Sequence, residues 1–349
     1  MRTGRGIICV AGMLLCGMLT ACGAGKDRNI ENALEKIQQT EYEAALEYLQ
    51  SAEEGGQQGI ALYRAYGLAY MGMSEYETSA EYLERALTYS TGKLTEYEYD
   101  VNYYLATAYF KLGRFDDAIR VYSAILALRP DEKQAMYLRG VTELEAGRYE
   151  EAIRDFDAAI KMEVTDYSVY IDIYSCLKQK GYDEEAQGYL TRVMDTENRS
   201  MSAYDKGRIC YYMGDYTNAC VYLEEAYDKD DNPDVMLFLG RSYVADGNLN
   251  YASALYSRYL QENPSSVLVY NELGLCKLEQ GDYQGALDAF STALRLGNND
   301  LTQVLRYNSI VAYEYLGQYD AALEQMEAYL RSYPDDENAI REYTFLKTR

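Results

Sequence analysis

Two hydrophobic patterns divide the chain. From Ile7 to Leu19 the residues are apolar or small with no polar face, behind a start that holds Arg2 and Arg5. From about residue 26 onward, apolar and polar positions interleave in blocks that predict amphipathic helix pairs, each with one face to bury. The punctuation of these blocks is regular. Gly113-Arg114-Phe115-Asp116-Asp117-Ala118 returns as Gly147-Arg148-Tyr149-Glu150-Glu151-Ala152. Gly181 with Ala186, Gly214 with Ala219, Gly247 with Ala252, Gly281 with Ala286 and Gly317 with Ala322 follow at glycine spacings of 34, 34, 33, 33, 34 and 36. Glycine suits the positive-φ reversal between two helices, and the alanine five residues on lets them approach closely. Pro130, Pro264 and Pro334 each stand 17 residues after their block's glycine, where one pair must stop before the next, and Pro233 falls near an equivalent junction.

Earlier copies are weaker. Tyr63, Gly67, Tyr70, Tyr76 and Ala86 fit one, and Tyr42, Ala45 and Ala52 fit another. The run Thr91 to Tyr97 is a lengthened junction loop or an extended helix end. The best copy carries Tyr270, Leu273, Gly274, Gly281, Tyr283, Ala286, Phe290 and Ala293. Others carry Gly140, Gly147, Tyr149, Ala152, Phe156 and Ala159, or Leu239, Gly240, Tyr243, Gly247, Ala252 and Pro264. In these positions the chain resembles the tetratricopeptide repeat. It departs from the family pattern at Tyr174 and Ile310, where a small residue is expected, at Tyr182-Asp183, and at Cys210; these swaps are expected to loosen single contacts and not the frame. The resemblance implies an all-α fold, a right-handed αα-solenoid of nine helix-turn-helix repeats near 26–59, 60–93, 99–132, 133–166, 167–200, 200–232, 233–265, 267–300 and 303–336. A capping helix over 337–347 would turn Ala339, Ile340, Tyr343 and Phe345/Leu346 toward the last repeat. Such an array runs over residues 29–349, after a short tether at 22–28.

The apolar stretch is too short for a comfortable membrane span, and with its basic start and small-residue exit it reads as a secretory signal peptide over residues 1–21. Leu19-Thr20-Ala21-Cys22 resembles the lipobox of bacterial lipoproteins. That resemblance implies cleavage before Cys22, diacylglyceryl attachment to its thiol, and a lipid-anchored chain on the extracytoplasmic face of a bacterial membrane, the outer membrane being open where the cell has two.

In the tetratricopeptide family the first helix of each pair lines a concave side. Matching the frame places Tyr103, Tyr137, Tyr204 and Tyr307 there, with Thr107, Val141, Arg208 and Arg241 one turn later and Phe110 and Tyr211 on the same strip. Tyrosine offers rigid contact area with a hydroxyl, which suits a peptide groove, although the repeat also uses tyrosine for packing.

Composition narrows the chemistry. The chain has 33 basic and 56 acidic residues, a net charge of −23, and no histidine or tryptophan among its 349 residues. Nucleic acid is excluded as the main partner, since phosphate binding needs clustered cations. A histidine-based triad, a histidine-ligated zinc and a histidine general base are excluded outright. Acid pairs such as Asp116-Asp117, Glu150-Glu151 and Glu184-Glu185 recur at second-helix starts, where they complement the helix N-terminus. The acidic run from Glu224 to Asp234, through Asp228, Asp230 and Asp231, lacks the spacing of a calcium loop. Cys176, Cys210, Cys220 and Cys276 make no CxxC pair; the first and last read as core thiols, and Cys210 with Cys220 leaves a disulfide open. No cofactor, metal or catalytic residue is expected. The expected function is a non-catalytic scaffold for a protein or peptide partner, with the acidic surface favouring basic segments. A module for cell-wall glycan or a soluble ligand and an accessory subunit of an envelope enzyme complex are the alternatives.

Overall fold

The structure, a computed structural model, describes residues 28–90, 95–197, 201–230, 232–297 and 300–349. Cys22, the apolar stretch before it and Asp231 of the acidic run lie outside them. Every described element is a helix. The pairs are α1 (Arg28–Gln38) with α2 (Tyr42–Glu54), α3 (Ile60–Gly72) with α4 (Tyr76–Leu87), α5 (Glu96–Lys111) with α6 (Phe115–Leu128), and α7 (Lys133–Glu145) with α8 (Tyr149–Met162). Then come α9 (Tyr167–Gln179) and α10 (Asp183–Glu197), α11 (Ala203–Met213) and α12 (Tyr216–Lys229), and α13 (Pro233–Ala245) and α14 (Leu249–Glu262). The last are α15 (Val267–Glu279) with α16 (Tyr283–Arg295), α17 (Thr302–Tyr315) with α18 (Tyr319–Ser332), and the single α19 (Glu337–Leu346). The chain falls into two units, one up to Tyr189 and one from Leu190 on.

One turn closes these pairs. At Gly147 the φ is 77°, the Gly147 N–H donates to the Leu144 carbonyl at 3.1 Å, and the Arg148 N–H donates to the Glu143 carbonyl at 2.8 Å. This double closure satisfies carbonyls that the end of α7 would leave bare. The same five-residue back-bond recurs at Arg114, Tyr182, Asp215, Asn248, Asp282 and Gln318, each behind one of the seven framed glycines. It also recurs at Glu41 and Glu75, behind Thr40 (φ 61°) and Ser74 (φ 63°), which have no glycine to mark them.

Within a pair, small residues bring the helices together. A Cβ on Gly240 would stand 2.4–2.5 Å from the ring of Tyr256, and one on Gly274 would stand 2.3 Å from Phe290. Both rings are fully buried, so the aromatic of the second helix fills the space the glycine leaves. The offset of 16 residues holds also for Gly67 with Leu83, Gly140 with Phe156 and Gly207 with Leu223. At Ile310, where the glycine is absent, Met326 stands at that offset, and both lie fully buried in one core. An unbranched side chain there accommodates the larger residue, so the swap leaves no exposed gap.

Junctions vary more. Pro233 occupies the first turn of α13, where its missing N–H is harmless, behind an Asn232 cap that accepts from Asp234 N–H at 2.8 Å. Of the run Thr91 to Tyr97, the described part is a helix start: α5 begins at Glu96 under a capping box between Thr95 and Glu98. In the second unit, Ala339 and Leu346 of α19 close the core of Ile310, Met326 and Tyr329, while Ile340 and Phe345 are exposed.

Candidate functional site

The first-helix residues singled out in the sequence fall into separate neighbourhoods. In the first unit, Tyr103 is only 8% exposed and packs at 6.2 Å on Tyr122. Burial drives its hydroxyl well above the usual tyrosine range. Val141 is buried too, and Thr107, Phe110 and Val141 meet Tyr122, Leu138 and Thr142 around a recess with room for about one water. Phe110 adds an edge contact to Phe115 at 5.7 Å. Tyr137 is half-buried against Phe156, and its hydroxyl lies 3.7 Å from the Cys176 sulfur on α9. These residues knit successive helices together and leave little contact surface.

The second unit brings four of these ten residues together. Tyr204, Arg208 and Tyr211 lie on one face of α11, and Arg241 lies on α13. Phe238 of α13 is their hub: it meets the Tyr204 ring at 6.1 Å and the Tyr211 ring at 5.9 Å, both edge-on. The Arg208 guanidinium lies 5.3 Å from the Tyr204 ring centre and 5.5 Å from that of Phe238. It also comes within 3.7 Å of Asp205. A planar cation between aromatic faces is held electrostatically by the ring quadrupoles. Arg241 donates to one Glu272 oxygen on α15 from two nitrogens, at 2.5 and 3.1 Å. Burial opposes its charge, but the Glu272 carboxylate outweighs that and holds the guanidinium above its usual range. Burial raises the Tyr204 and Tyr211 hydroxyls, and Arg208 and Arg241 respectively offset part of the effect. All of these rings are half-buried, so the cluster keeps part of its aromatic surface open to solvent, while the Arg208 side chain is only 17% exposed.

Tyr307 stands apart on α17, 5.8 Å edge-on to Tyr329, with its hydroxyl raised first by burial and then by Glu342 of α19. Sequence reasoning missed Phe238, Glu272, Asn271, Asn308 and Glu314, although the same frame reaches them by steps of one helical turn. Among the described residues no group of three or more Cys, Asp or Glu side chains is placed to hold a metal. All four described cysteines are free, buried thiols; burial pushes Cys176, Cys210 and Cys276 up to about 11 and Cys220 up to about 12. Cys210 and Cys220 therefore stand as separate core residues. No described helix is long and apolar enough to cross a membrane.

A family profile described as "Tetratricopeptide repeat" matches residues 103–163, 204–267 and 237–300, and a second of the same description matches 305–336. Together they cover just over half of the chain. The chain is a tetratricopeptide-repeat protein. Among curated relatives, human tetratricopeptide repeat protein 13 is 26% identical over 178 residues, 49% of this chain and 21% of that one. Hsp70-Hsp90 organizing protein 2 of Arabidopsis thaliana is 21% identical over 244 residues, 68% of this chain and 42% of that one. The chain spans less than half the length of the curated relatives it matches. A solved tetratricopeptide-repeat structure from Parabacteroides merdae shares 17% identity over 82% of this chain and 97% of that one, with a TM-score of 0.44. The tetratricopeptide repeats thus account for both the turn glycines and the glycine–aromatic pairs.

Proposed function

We propose that this protein is a non-catalytic scaffold that binds a protein or peptide segment along its first-helix faces. We further propose that it does so at the extracytoplasmic surface of a bacterial membrane, held there by a lipid on Cys22. The observation that carries the binding reading is the half-buried aromatic cluster of Tyr204, Arg208, Tyr211 and Phe238 on α11 and α13. Aromatic rings and a guanidinium held rigid before binding lose little entropy on contact, which is where interface energy concentrates. A relative whose name makes it an organiser of Hsp70 and Hsp90 supports a role in assembling other proteins. The net charge of −23 favours basic segments in the encounter.

Cross-linking in intact membranes tests this. A protein partner should be recovered with the parent chain and fall at least tenfold in yield with Tyr204→Ala, Arg208→Ala and Tyr211→Ala combined. Recovery of purified cell wall instead, with no protein partner, would replace this reading by the glycan one.

A further inference from the structure

Away from the aromatic cluster, the second unit closes on a helix that has half of a pair's packing. In α15, Gly274 stands ten residues after Pro264 and admits the Phe290 ring of α16. Gly140, ten residues after Pro130, admits Phe156 of α8 in the same way. Ten residues after Pro334 stands Thr344, so the frame runs on into α19. By that frame α19 is a first helix, and among the described residues no second helix follows it. Ile340 shows the consequence. Four residues before the small residue of their own helices, Met136 and Met236 are buried, at 9% and 0% exposure, whereas Ile340 is 44% exposed.

The open face of α19 is Glu337, Ile340, Thr344 and Lys347, all exposed and spaced by three, four and three residues, which sets them in one stripe. The Thr344 hydroxyl donates to the Ile340 carbonyl at 3.0 Å, so its polar atom is already matched and its methyl group is left for contact. Phe345 lies outside the stripe and is partly covered by Arg349, whose guanidinium is 4.4 Å from the ring centre. The stripe therefore has an acid in the first turn of the helix, two apolar groups between, and a base at its C-terminal end. Turned end for end, it matches itself. Helices joined by a short turn run antiparallel, so a second helix in this place would run against α19. If that helix is another α19, Glu337 meets Lys347 and Ile340 meets Thr344, each contact occurring twice about a two-fold axis.

We infer that α19 is a self-association site: the α19 of a second copy takes the place a second helix would take, antiparallel to it, with Ile340 against Thr344 at the centre and Glu337 against Lys347 at both ends. This goes beyond the partner-binding reading above, whose cluster lies on α11 and α13. The apolar centre supplies the attraction. Exposed ion pairs add little affinity, but they set the direction, since a parallel pair would lay Glu337 on Glu337 and Lys347 on Lys347. The ten residues of α19 rise about 15 Å. Two faces of that length bury less than a standard interface of about 1,600 Å², so the dimer is weak and depends on concentration.

Sedimentation equilibrium of the full chain in density-matched detergent, from about 5 µM to about 500 µM, tests the inference. A monomer–dimer equilibrium is expected, weakened at least tenfold by Ile340→Asp. Glu337→Lys sets lysine against lysine, and Lys347→Glu sets glutamate against glutamate. Each variant alone should therefore dimerise at least fivefold more weakly at low salt. An equal mixture of the two restores both opposite-charge contacts, and so does one chain that carries both changes. Both should return to within about twofold of the parent. Every substituted position is exposed, so circular dichroism should show the variants folded. The mixture is the decisive arm, because a chain with a damaged α19 is not rescued by a second damaged chain. A protein that stays monomeric over the whole range overturns the inference. So does a dimer indifferent to Ile340→Asp, or single reversals that the mixture fails to rescue. Tyr204→Ala with Arg208→Ala should leave the dimer intact; its loss there would assign self-association to the aromatic cluster and overturn the inference as well.

Discussion

At the residue scale, the turn between paired helices needs a left-handed residue, and glycine is only the easiest way to supply it. Thr40 and Ser74 hold the same conformation and the same back-bonded closure. An L-residue there costs about 1–2 kcal/mol, and part of that is recovered because it stiffens the unfolded chain. Thr40→Gly and Ser74→Gly should therefore each stabilise the fold by about 0.5–1 kcal/mol in urea titrations. Gly147→Ala should do the reverse, at about 1–2 kcal/mol. Equal stability for all three variants would mean that the φ at these turns carries no strain. The absent glycines explain why the first two copies read weakly from sequence while their backbone closures match the others. Burial was less legible. Tyr103 and Tyr137 share a frame position, yet Tyr103 is buried and Tyr137 half-buried, because the frame fixes a side chain's angle and not what neighbouring helices lay over it.

At the element scale, α19 closes the last core with Ala339 and Leu346 while setting Glu342 beside Glu314. Ala339, Tyr343 and Leu346 of that cap were legible in the sequence of residues 337–347, but Ile340 and Phe345, expected on the same side, face solvent; the carboxyl pair was not legible, because it joins residues distant in the frame. Glu314 has a carboxyl raised in the folded protein from its ordinary 4.5 to about 7, first by burial and then by Glu342. The folded state thus holds a proton that the unfolded state gives up between those values. The stability linked to it is complete below pH 4.5 and is lost as pH rises through 7. Tyr307 also feels both carboxylates, and its hydroxyl is raised further above its ordinary range, first by burial and then by Glu342 and Glu314. Glu314→Gln should stabilise the chain at pH 8 by about 1 kcal/mol, a figure reduced for the half-exposed setting, and flatten the slope between pH 5 and 8. Thermal melts of the two proteins across that range decide it: parallel curves would show that Glu314 titrates normally.

At the scale of the whole molecule, the repeats were legible because their signal is a period, which accumulates over seven glycine–alanine pairs. The proposed leader rests on composition alone, and what it would imply is a matter of how the chain holds to a membrane. An acidic chain of net charge −23 is repelled by anionic lipid, so electrostatics cannot hold it on such a surface. Acyl chains on Cys22 would hold it through buried hydrocarbon, which salt does not screen. The two attachments therefore separate by ionic strength. The parent chain should stay with membranes in 1 M salt, partition into detergent, and carry a lipid mass on the peptide that begins at Cys22. Cys22→Ser should appear in the soluble fraction and keep its helical content, since the folded repeats begin several residues later, at Arg28. Retention of Cys22→Ser on salt-washed membranes would assign the attachment to the apolar stretch or to a partner instead. In the second case, losing the cluster of Tyr204, Arg208 and Tyr211 would release the chain, which ties its location to the same face that binds.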